Sequence, residues 1–155
     1  MSAVRVGDEL VWQGVSTYLS RGASTPGEIE TEPPVDVEID PDAPPNAVWD
    51  VPGDRGRRYA SGSGDVEPMH LSSLAANAMG FPRALVQGMW TKAHALAAIE
   101  ARLPESYAVD VTFGEPLLLP SVVNLFVAHQ DHGWDFAVRP AEGPGDHLRG
   151  NVREI

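Results

Sequence analysis

The sequence predicts an α+β domain in which a curved antiparallel β-sheet wraps around one long central α-helix. Residues 87–103 have the apolar spacing of a helix, which ends at Pro104. Four strand-like runs follow this helix, at 107–113, 117–129, 134–140 and 147–155. One helix followed by an antiparallel meander favours the α+β class, with the sheet packed on the helix.

The predicted central helix is apolar around much of its circumference. Its helical spacing is followed by Met89, Ala93, Leu96, Glu100 and Leu103. Trp90, Ala97 and Ala101 widen this face, so we expect the helix to be buried in the middle of the domain. His94 lies within the same helix and is interpreted as a core residue with a satisfied hydrogen bond.

Shorter elements are expected before the helix. Strands are predicted around 9–14 and 15–19, and a further strand at 47–51. A short helical turn is predicted within 54–61, a glycine-containing loop at 61–65 and a short helix at 71–79. Residues 131–133 are expected to form a hairpin turn between two of the later strands.

A stretch rich in proline and acid separates two unequal parts of the chain. Residues 24–45 contain seven acidic residues, six prolines and no lysine or arginine. Such a composition opposes helix formation and core burial, so we predict a solvated, extended linker here. The predicted organisation is therefore a strand-like segment at 1–23, the linker at 24–45 and the main domain at 46–155.

Composition restricts the classes of function. The chain has 155 residues and a net charge of −11, which disfavours nucleic acid and anionic membrane surfaces as partners. It contains no cysteine, so disulfides and thiolate metal sites are excluded. No run is apolar for long enough to span a bilayer, and the N-terminus does not resemble a secretory signal. We expect a cytoplasmic protein that needs no metal or other cofactor.

An acid and a histidine lie close together in one short loop. Asp65 and His70 are five residues apart, and Pro68 between them stiffens the chain. An imidazole and a carboxyl group on one turn can hold a single water: His70 can remove a proton while Asp65 orients the water or handles the second proton. This is the arrangement needed to add water to an activated double bond. The alternative is an ordinary loop acid next to a histidine at a helix start.

The surrounding residues resemble a known family. The run R-R-Y-A-S-G-S-G-D-V-E-P-M-H-L-S at 57–72 is similar to the hydratase motif G-D-x-N-P-x-H of the MaoC-like (R)-specific enoyl-CoA hydratases and acyl dehydratases. The resemblance continues in G-F-P-R-A-L-V-Q-G-M-W at 80–90, in L-P-E-S-Y at 103–107 and in V-T-F-G-E-P-L-L-L-P-S at 111–121. It covers most of the chain after the linker.

The resemblance implies a hot-dog fold and an acyl thioester substrate, carried by coenzyme A or by acyl carrier protein. It implies that Asp65 and His70 are the catalytic pair and that the backbone N–H of Gly88 polarises the thioester carbonyl. A helix N-terminus suits that role, since it favours a developing oxyanion. The residues expected to bind substrate are Glu67, Pro68, Gln87, Met89 and Trp90.

Two positions depart from the family motif. Glu67 replaces the usual asparagine, and Gln87 replaces the usual histidine before the helix glycine. A charged Glu67 near Asp65 would disfavour the negative charge of an enolate-like transition state, so Glu67→Asn is expected to raise activity. If Glu67 points to solvent or pairs with Arg58, the substitution should have little effect, and if Glu67 has taken over a proton-transfer role, it should lower activity. Glu115 also lies where the family often has a basic residue. The remaining candidates for binding the phosphates of coenzyme A are Arg83, Lys92, Arg139, Arg149 and Arg153.

Three further interpretations remain open at this level. Residues 6–21 resemble the tail of a preceding hot-dog repeat, so the chain is expected to form a homodimer or to pair with another hot-dog subunit. Alternatives to the hydratase are a repurposed enzyme acting on a polyketide-like intermediate and a non-catalytic hot-dog subunit. The group His129, Asp131 and His132 is interpreted as a surface turn rather than a metal site.

Overall fold

The computed structural model describes residues 1–17 and 33–155, which fall into two compact units, Met1–Glu32 and Pro33–Ile155. The first unit contains an antiparallel hairpin of β1 (Ser2–Val6) and β2 (Glu9–Gly14). Strand β2 confirms the prediction for 9–14. A strand was also expected at 15–19, but residues 15–17 form none, and 18–19 lie outside the described residues.

The second unit contains one five-stranded antiparallel sheet. Its strands are β3 (Ala47–Val51), β4 (Tyr107–Phe113), β5 (Ser121–Gln130), β6 (Gly133–Pro140) and β7 (Leu148–Glu154). Their order across the sheet is β3-β5-β6-β7-β4. All five predicted strands are therefore present, although β5 starts later than expected. Residues 117–119 instead pair with the segment before the central helix, through a bridge between Leu85 and Leu118.

Four helices precede or cross this sheet: α1 (Arg55–Ser63), α2 (Pro68–Leu71), α3 (Ser73–Ala78) and α4 (Gly88–Ile99). A 3₁₀ turn, Glu100–Arg102, completes the predicted central helix. The predicted turn at 54–61 is a full helix, and the predicted helix at 71–79 is divided by Ser72, whose hydroxyl caps α3. In the described ranges, no helix is long and apolar enough to cross a bilayer.

The face of α4 that enters the core differs from the predicted one. Trp90, Thr91, Ala95 and Ile99 are buried, whereas Met89 is 54% exposed and Ala93 is also exposed. The buried set packs with β3 and β5–β7 around Phe136, Val138 and Leu148. Because small residues cover most of the helix, the sequence pattern could not distinguish the side facing the sheet from the side facing away.

The acidic segment is attached to the sheet over its described part. Val35 N donates to Thr112 Oγ1 at 2.8 Å, and Glu38 N donates to the buried Asp135 Oδ2 at 2.7 Å. Residues 33–45 contain no helix or strand, but the second unit starts at Pro33 rather than at Asn46. Side-chain acceptors on the sheet bind the backbone of this segment, and the linker at 24–45 stays a prediction. Residues 24–32 lie outside the described residues.

Candidate active site

The loop that carries Asp65 begins where α1 ends. Gly64 adopts a left-handed conformation with φ of 76°, and its N–H donates to Ala60 O at 2.9 Å. This is the common glycine termination of a helix, and it turns the chain sharply away from the axis. Pro68 then occupies the start of α2, where a proline is tolerated because its missing N–H would have no intrahelical partner. Asp65 thus lies between the end of α1 and the start of α2, and His70 lies within α2.

Asp65 is half-buried and held by its main chain. Its backbone carbonyl accepts a hydrogen bond from Gln87 Nε2 at 3.1 Å. Its Oδ1 accepts a long contact from Glu67 N at 3.4 Å, and its own N–H donates to Ser63 Oγ at 3.2 Å. The Asx-type contact orients the carboxyl group by one oxygen. The other oxygen has no partner among the described residues and is available to a water or a substrate.

His70 is oriented by one backbone carbonyl. Its Nδ1 lies 2.8 Å from Leu85 O. A carbonyl oxygen can only accept, so Nδ1 carries the proton in the neutral ring and Nε2 carries the lone pair. Leu85 N in turn donates to Met69 O at 3.2 Å, which ties α2 to the segment before α4. The imidazole is therefore anchored in the tautomer that a general base requires.

Gly88 is the first residue of α4, and it is exposed. The first N–H groups of a helix have no intrahelical acceptor and lie at its positive end. A Cβ at Gly88 would lie 2.9 Å from Cδ1 and Cε1 of Phe113. Glycine thus permits close approach of the Phe113 ring while its N–H stays accessible. The expected donor position is geometrically suited to stabilising an oxyanion.

Gly56 lets the separate parts of the site meet. A Cβ at this buried position in α1 would lie 2.2 Å from His70 O and 3.4 Å from Leu85 O. The carbonyl of Gly56 also accepts from Gln87 Nε2 at 3.3 Å. Helix α1 therefore approaches the backbones of His70 and Leu85 at a distance that only glycine allows. These contacts hold the Asp65–His70 segment beside the start of α4.

The residues expected to bind substrate divide into two groups. Glu67, Pro68 and Met89 are exposed, so a ligand can reach them. Gln87 and Trp90 are only 1% and 8% exposed. Gln87 uses its amide nitrogen inside the protein, and Trp90 packs in the core. Because almost none of their surface is accessible, these two side chains are not expected to contact a substrate directly.

Trp90 belongs to an aromatic and cationic stack on α4. His94 stacks on Trp90 with a centroid distance of 4.9 Å and lies 4.3 Å from the Trp49 ring centroid. The guanidinium of Arg55 lies over the Trp90 ring, 5.4 Å from its centroid. Burial, and to a lesser extent the charge of Arg55, lowers the pKa of His94 below 6.5. The ring of His94 is covered by the two tryptophans, but the residue as a whole is exposed, which corrects the expectation of a core residue.

Several predicted phosphate-binding residues have other partners. Arg139 forms an ion pair with Asp146 at 2.9 Å, and Arg153 forms one with Asp110 at 2.7 Å. Arg83 donates to the carbonyl of Pro120. An arginine that is already paired has fewer free donors for a phosphate. Lys92 and Arg149 remain candidates on the evidence of the described contacts.

At the β5–β6 turn, His132 contacts an acidic residue that the sequence did not indicate. His132 Nε2 lies 2.9 Å from Oδ1 of Asp135, whose side chain is 1% exposed. His132 and Asp135 line a surface cavity of about 410 Å³, and none of the predicted site residues lines this cavity. Within residues 1–17 and 33–155, no group of three or more His, Asp or Glu side chains is arranged to hold a metal ion.

Two contacts that hold the candidate site were not predicted from the sequence. The carbonyl of Leu85 orients His70, but a backbone acceptor leaves no side-chain signal. Gly56 did leave a signal, since a glycine inside the short basic helix R-G-R-R costs helix stability and needs a packing reason. Close approach of another chain segment is the reason that the structure supplies.

Comparison with known proteins identifies the family. The family described as "MaoC like domain" matches residues 23–138, more than half of the chain. The chain belongs to the MaoC-like family. The antiparallel sheet packed on α4 is accordingly the hot-dog fold, which confirms the predicted α+β class.

Individual relatives of this MaoC-like chain extend the finding. It is 38% identical over 153 residues to 3-hydroxyacyl-thioester dehydratase X of Mycobacterium tuberculosis, covering 98% of this chain and 54% of the relative. A crystal structure of HtdX from the same organism superposes with a TM-score of 0.70 at 41% identity, covering 72% of this chain and 48% of the other. The (R)-hydratase PhaJ1 of Pseudomonas aeruginosa shares the fold, with a TM-score of 0.54 at 21% identity over 70% of this chain and 83% of PhaJ1. The chain spans about half the length of the curated relative it matches.

Proposed function

We propose that this MaoC-like chain catalyses the reversible addition of water to a 2-enoyl thioester, giving a 3-hydroxyacyl thioester. The observation that carries the proposal is the anchoring of His70 Nδ1 to Leu85 O, which leaves Nε2 as a proton acceptor, five residues after the half-buried Asp65. The relative that shares 38% identity is named as a 3-hydroxyacyl-thioester dehydratase, which supports the same reaction class.

The reaction needs one base, one acid and one oxyanion donor. His70 Nε2 removes a proton from water as the water oxygen forms a bond to C3 of the enoyl group. The electron pair of the C2–C3 double bond moves toward the carbonyl, whose oxygen gains negative charge near the N–H of Gly88. C2 then takes a proton from the carboxylic acid form of Asp65, and the proton that His70 took from water returns to the Asp65 carboxylate through solvent, so that one water is added in total. The reverse sequence eliminates water, so the same residues serve both directions.

The substrate is expected to be carried by coenzyme A or by acyl carrier protein. Glu67, Pro68, Gly88 and Met89 are exposed in the described residues, so the candidate site is open at the surface. A second hot-dog subunit would cover it and would complete an acyl-binding tunnel. The exposed side chains of Met89 and Ala93 on α4 give such a subunit an apolar contact.

The hairpin β1–β2 also suits contact with another hot-dog domain. Its apolar side chains include Val4, Val6, Leu10 and Trp12, each at least 45% exposed. A two-stranded hairpin is marginally stable on its own in water. We infer that residues 1–23 are the tail of a preceding hot-dog repeat. The chain is then expected to pair with a further hot-dog domain, either in a homodimer or in a complex with a separate hot-dog subunit.

Two alternative functions are distinguished by their substrates. A repurposed enzyme would act on a polyketide-like intermediate and would leave a simple enoyl thioester unchanged. A non-catalytic subunit would show no activity alone but would stabilise an active partner. The presence of both Asp65 and His70, each held in a defined conformation, favours the catalytic alternatives.

The test is hydration of crotonyl-CoA, followed by loss of the enoyl thioester absorbance. The chain should be assayed alone and with candidate hot-dog subunits. Asp65→Asn should reduce the rate by about 10²–10⁴-fold, the usual contribution of a positioned acid or base. Asp131→Asn, at an exposed turn away from the site, is the matched control and should leave the rate unchanged. Wild-type activity that survives Asp65→Asn would contradict the assignment.

A further inference from the structure

Gln87 connects three parts of the candidate site. Its side-chain Nε2 donates to Gly56 O at 3.3 Å and to Asp65 O at 3.1 Å. Its own backbone carbonyl accepts from Trp90 N at 3.0 Å in the first turn of α4. One residue therefore joins α1, the loop of the catalytic acid and the helix start that carries the oxyanion donor.

The orientation of the Gln87 amide follows from its partners. Both neighbours of Nε2 are carbonyl oxygens, which only accept, so the NH₂ group must face them. A rotated amide would set its oxygen against two other oxygens in a buried position, where repulsion is costly. The side chain is 1% exposed, and Oε1 has no hydrogen-bond partner among the described residues. Burial leaves Oε1 without a partner, which is unfavourable. We take this as a sign that the two hydrogen bonds donated by Nε2 are needed.

We propose that Gln87 is a positioning residue that fixes Asp65 relative to the N–H of Gly88. The inference rests on the proposed hydratase function and deepens it, because it assigns a role to a residue that is too buried to bind substrate directly. Without the bridge, the Asp65 loop would retain its local contacts to Ser63 and Glu67 but would lose its tie to α4. The distance between the acid and the oxyanion donor would then vary.

The chemistry of the amide explains why glutamine suits this position. A neutral glutamine has two N–H donors on one nitrogen, so it can bridge two carbonyls at any pH in the working range. A neutral histidine has one N–H, and it gains a second only on protonation. Glutamine therefore replaces the histidine of the family motif with a bridge that does not depend on pH.

The experiment compares Gln87→Leu, Gln87→His and the wild type on crotonyl-CoA. Gln87→Leu should lower kcat by about 10- to 100-fold, since a displacement of about 1 Å at a reacting group can cost 10²-fold. KM should stay within about threefold, because the substrate does not contact Gln87. The ratio of kcat in Gln87→His to kcat in the wild type at the same pH should be higher at low pH and should fall as the introduced imidazole deprotonates, which cancels the effect of pH on His70. A raised KM with unchanged kcat would instead show direct substrate binding and overturn the proposal.

A second measurement separates this inference from the proposed function. Amide hydrogen exchange at residues 64–67 should become faster in Gln87→Leu, whether or not the chain hydrates crotonyl-CoA. Gln130→Leu is the matched control: Gln130 Nε2 also donates to a backbone carbonyl, that of Glu38 at 2.6 Å, but far from the site in the β5–β6 region. The control should change neither kcat nor exchange at 64–67. Unchanged exchange in Gln87→Leu would refute the bridge even if the hydratase function holds.

Discussion

The two nitrogens of His70 are expected to do different work, and two substitutions separate them. Nδ1 anchors the ring to Leu85 O at 2.8 Å, while Nε2 is the proposed base. In His70→Asn the amide nitrogen can take the place of Nδ1 and keep the anchor, but no base remains. In His70→Ala both the anchor and the base are lost. The pair therefore distinguishes a catalytic role from a structural one.

The expected magnitudes differ for activity and for stability. Removing the base should slow hydration by about 10²–10⁴-fold, or about 2.7 to 5.5 kcal/mol in the activation free energy. Leaving the Leu85 carbonyl without its partner costs about 1–3 kcal/mol of unfolding free energy in a fully buried site. His70 is half-buried, so water can partly replace it and the lower limit applies. For a chain of this size, that is a decrease in Tm of about 2–4 °C.

Steady-state hydration of crotonyl-CoA and thermal unfolding provide the two measurements. Both variants should lose activity to a similar extent, but only His70→Ala should lose Tm. His147→Asn is the matched control, because His147 Nδ1 lies 2.9 Å from the carbonyl of Glu115 and neither residue belongs to the proposed catalytic machinery. Substantial activity in His70→Asn would refute Nε2 as the base. An equal loss of Tm in both variants would refute the anchoring bond.

Three other predictions concern neighbouring residues. Gly88→Ala should lower the hydration rate about 10- to 100-fold, because the new Cβ would lie 2.9 Å from the Phe113 ring and shift the donor N–H. Phe113→Leu in the same chain should restore activity. Full activity in Gly88→Ala alone would contradict the prediction. Burial and Arg55 lower the pKa of His94. As the pH drops below 6.5, the unfolded state therefore takes up a proton at this histidine before the folded state does. The contribution of His94 to the unfolding free energy should thus fall as the pH drops below 6.5 and stay constant above it. NMR titration should show that the pKa of His94 is lowered, and Arg55→Gln should raise the pKa of His94. A wild-type His94 that titrates at or above 6.5 would contradict the prediction. Glu67→Asn should change kcat/KM by less than about threefold, because an exposed charge is screened by water, and a rise above tenfold would revive the repulsion hypothesis.

The local elements of the fold were predictable because their signals are local. Strand β3 and the helix stop at Pro104 follow from short apolar runs and a breaker residue, and the meander follows from alternating segments. The inner face of α4 was not predictable. Its alanines make most directions equally apolar, and only packing with the sheet selects Ala95 over Ala93. The attachment of residues 33–45 was also hidden, because Thr112 and Asp135 lie far along the sequence.

The candidate site was predicted from the sequence, but the contacts that hold its residues in the structure were not. The motif around Asp65 and His70 marks the chemical groups, and Gly88 marks the helix start. Their positions depend on the carbonyl of Leu85 and on the space left by Gly56. Every residue has a backbone carbonyl, so the sequence does not indicate which carbonyl orients the histidine. The expected catalytic residues are thus a prediction from motif and chemistry, while the geometry supplies the reason that they can act together.

The two departures from the family motif affect the site in different ways. Glu67 is exposed, and its backbone N–H rather than its carboxylate contacts Asp65, so its charge lies where solvent can screen it. Gln87 is buried and supplies two hydrogen bonds that a neutral histidine could not both make. Neither departure removes the proposed acid, the proposed base or the proposed oxyanion donor. The changes therefore argue for a retained hydratase whose loop is fixed by an uncharged bridge, rather than for a scaffold that has lost its chemistry.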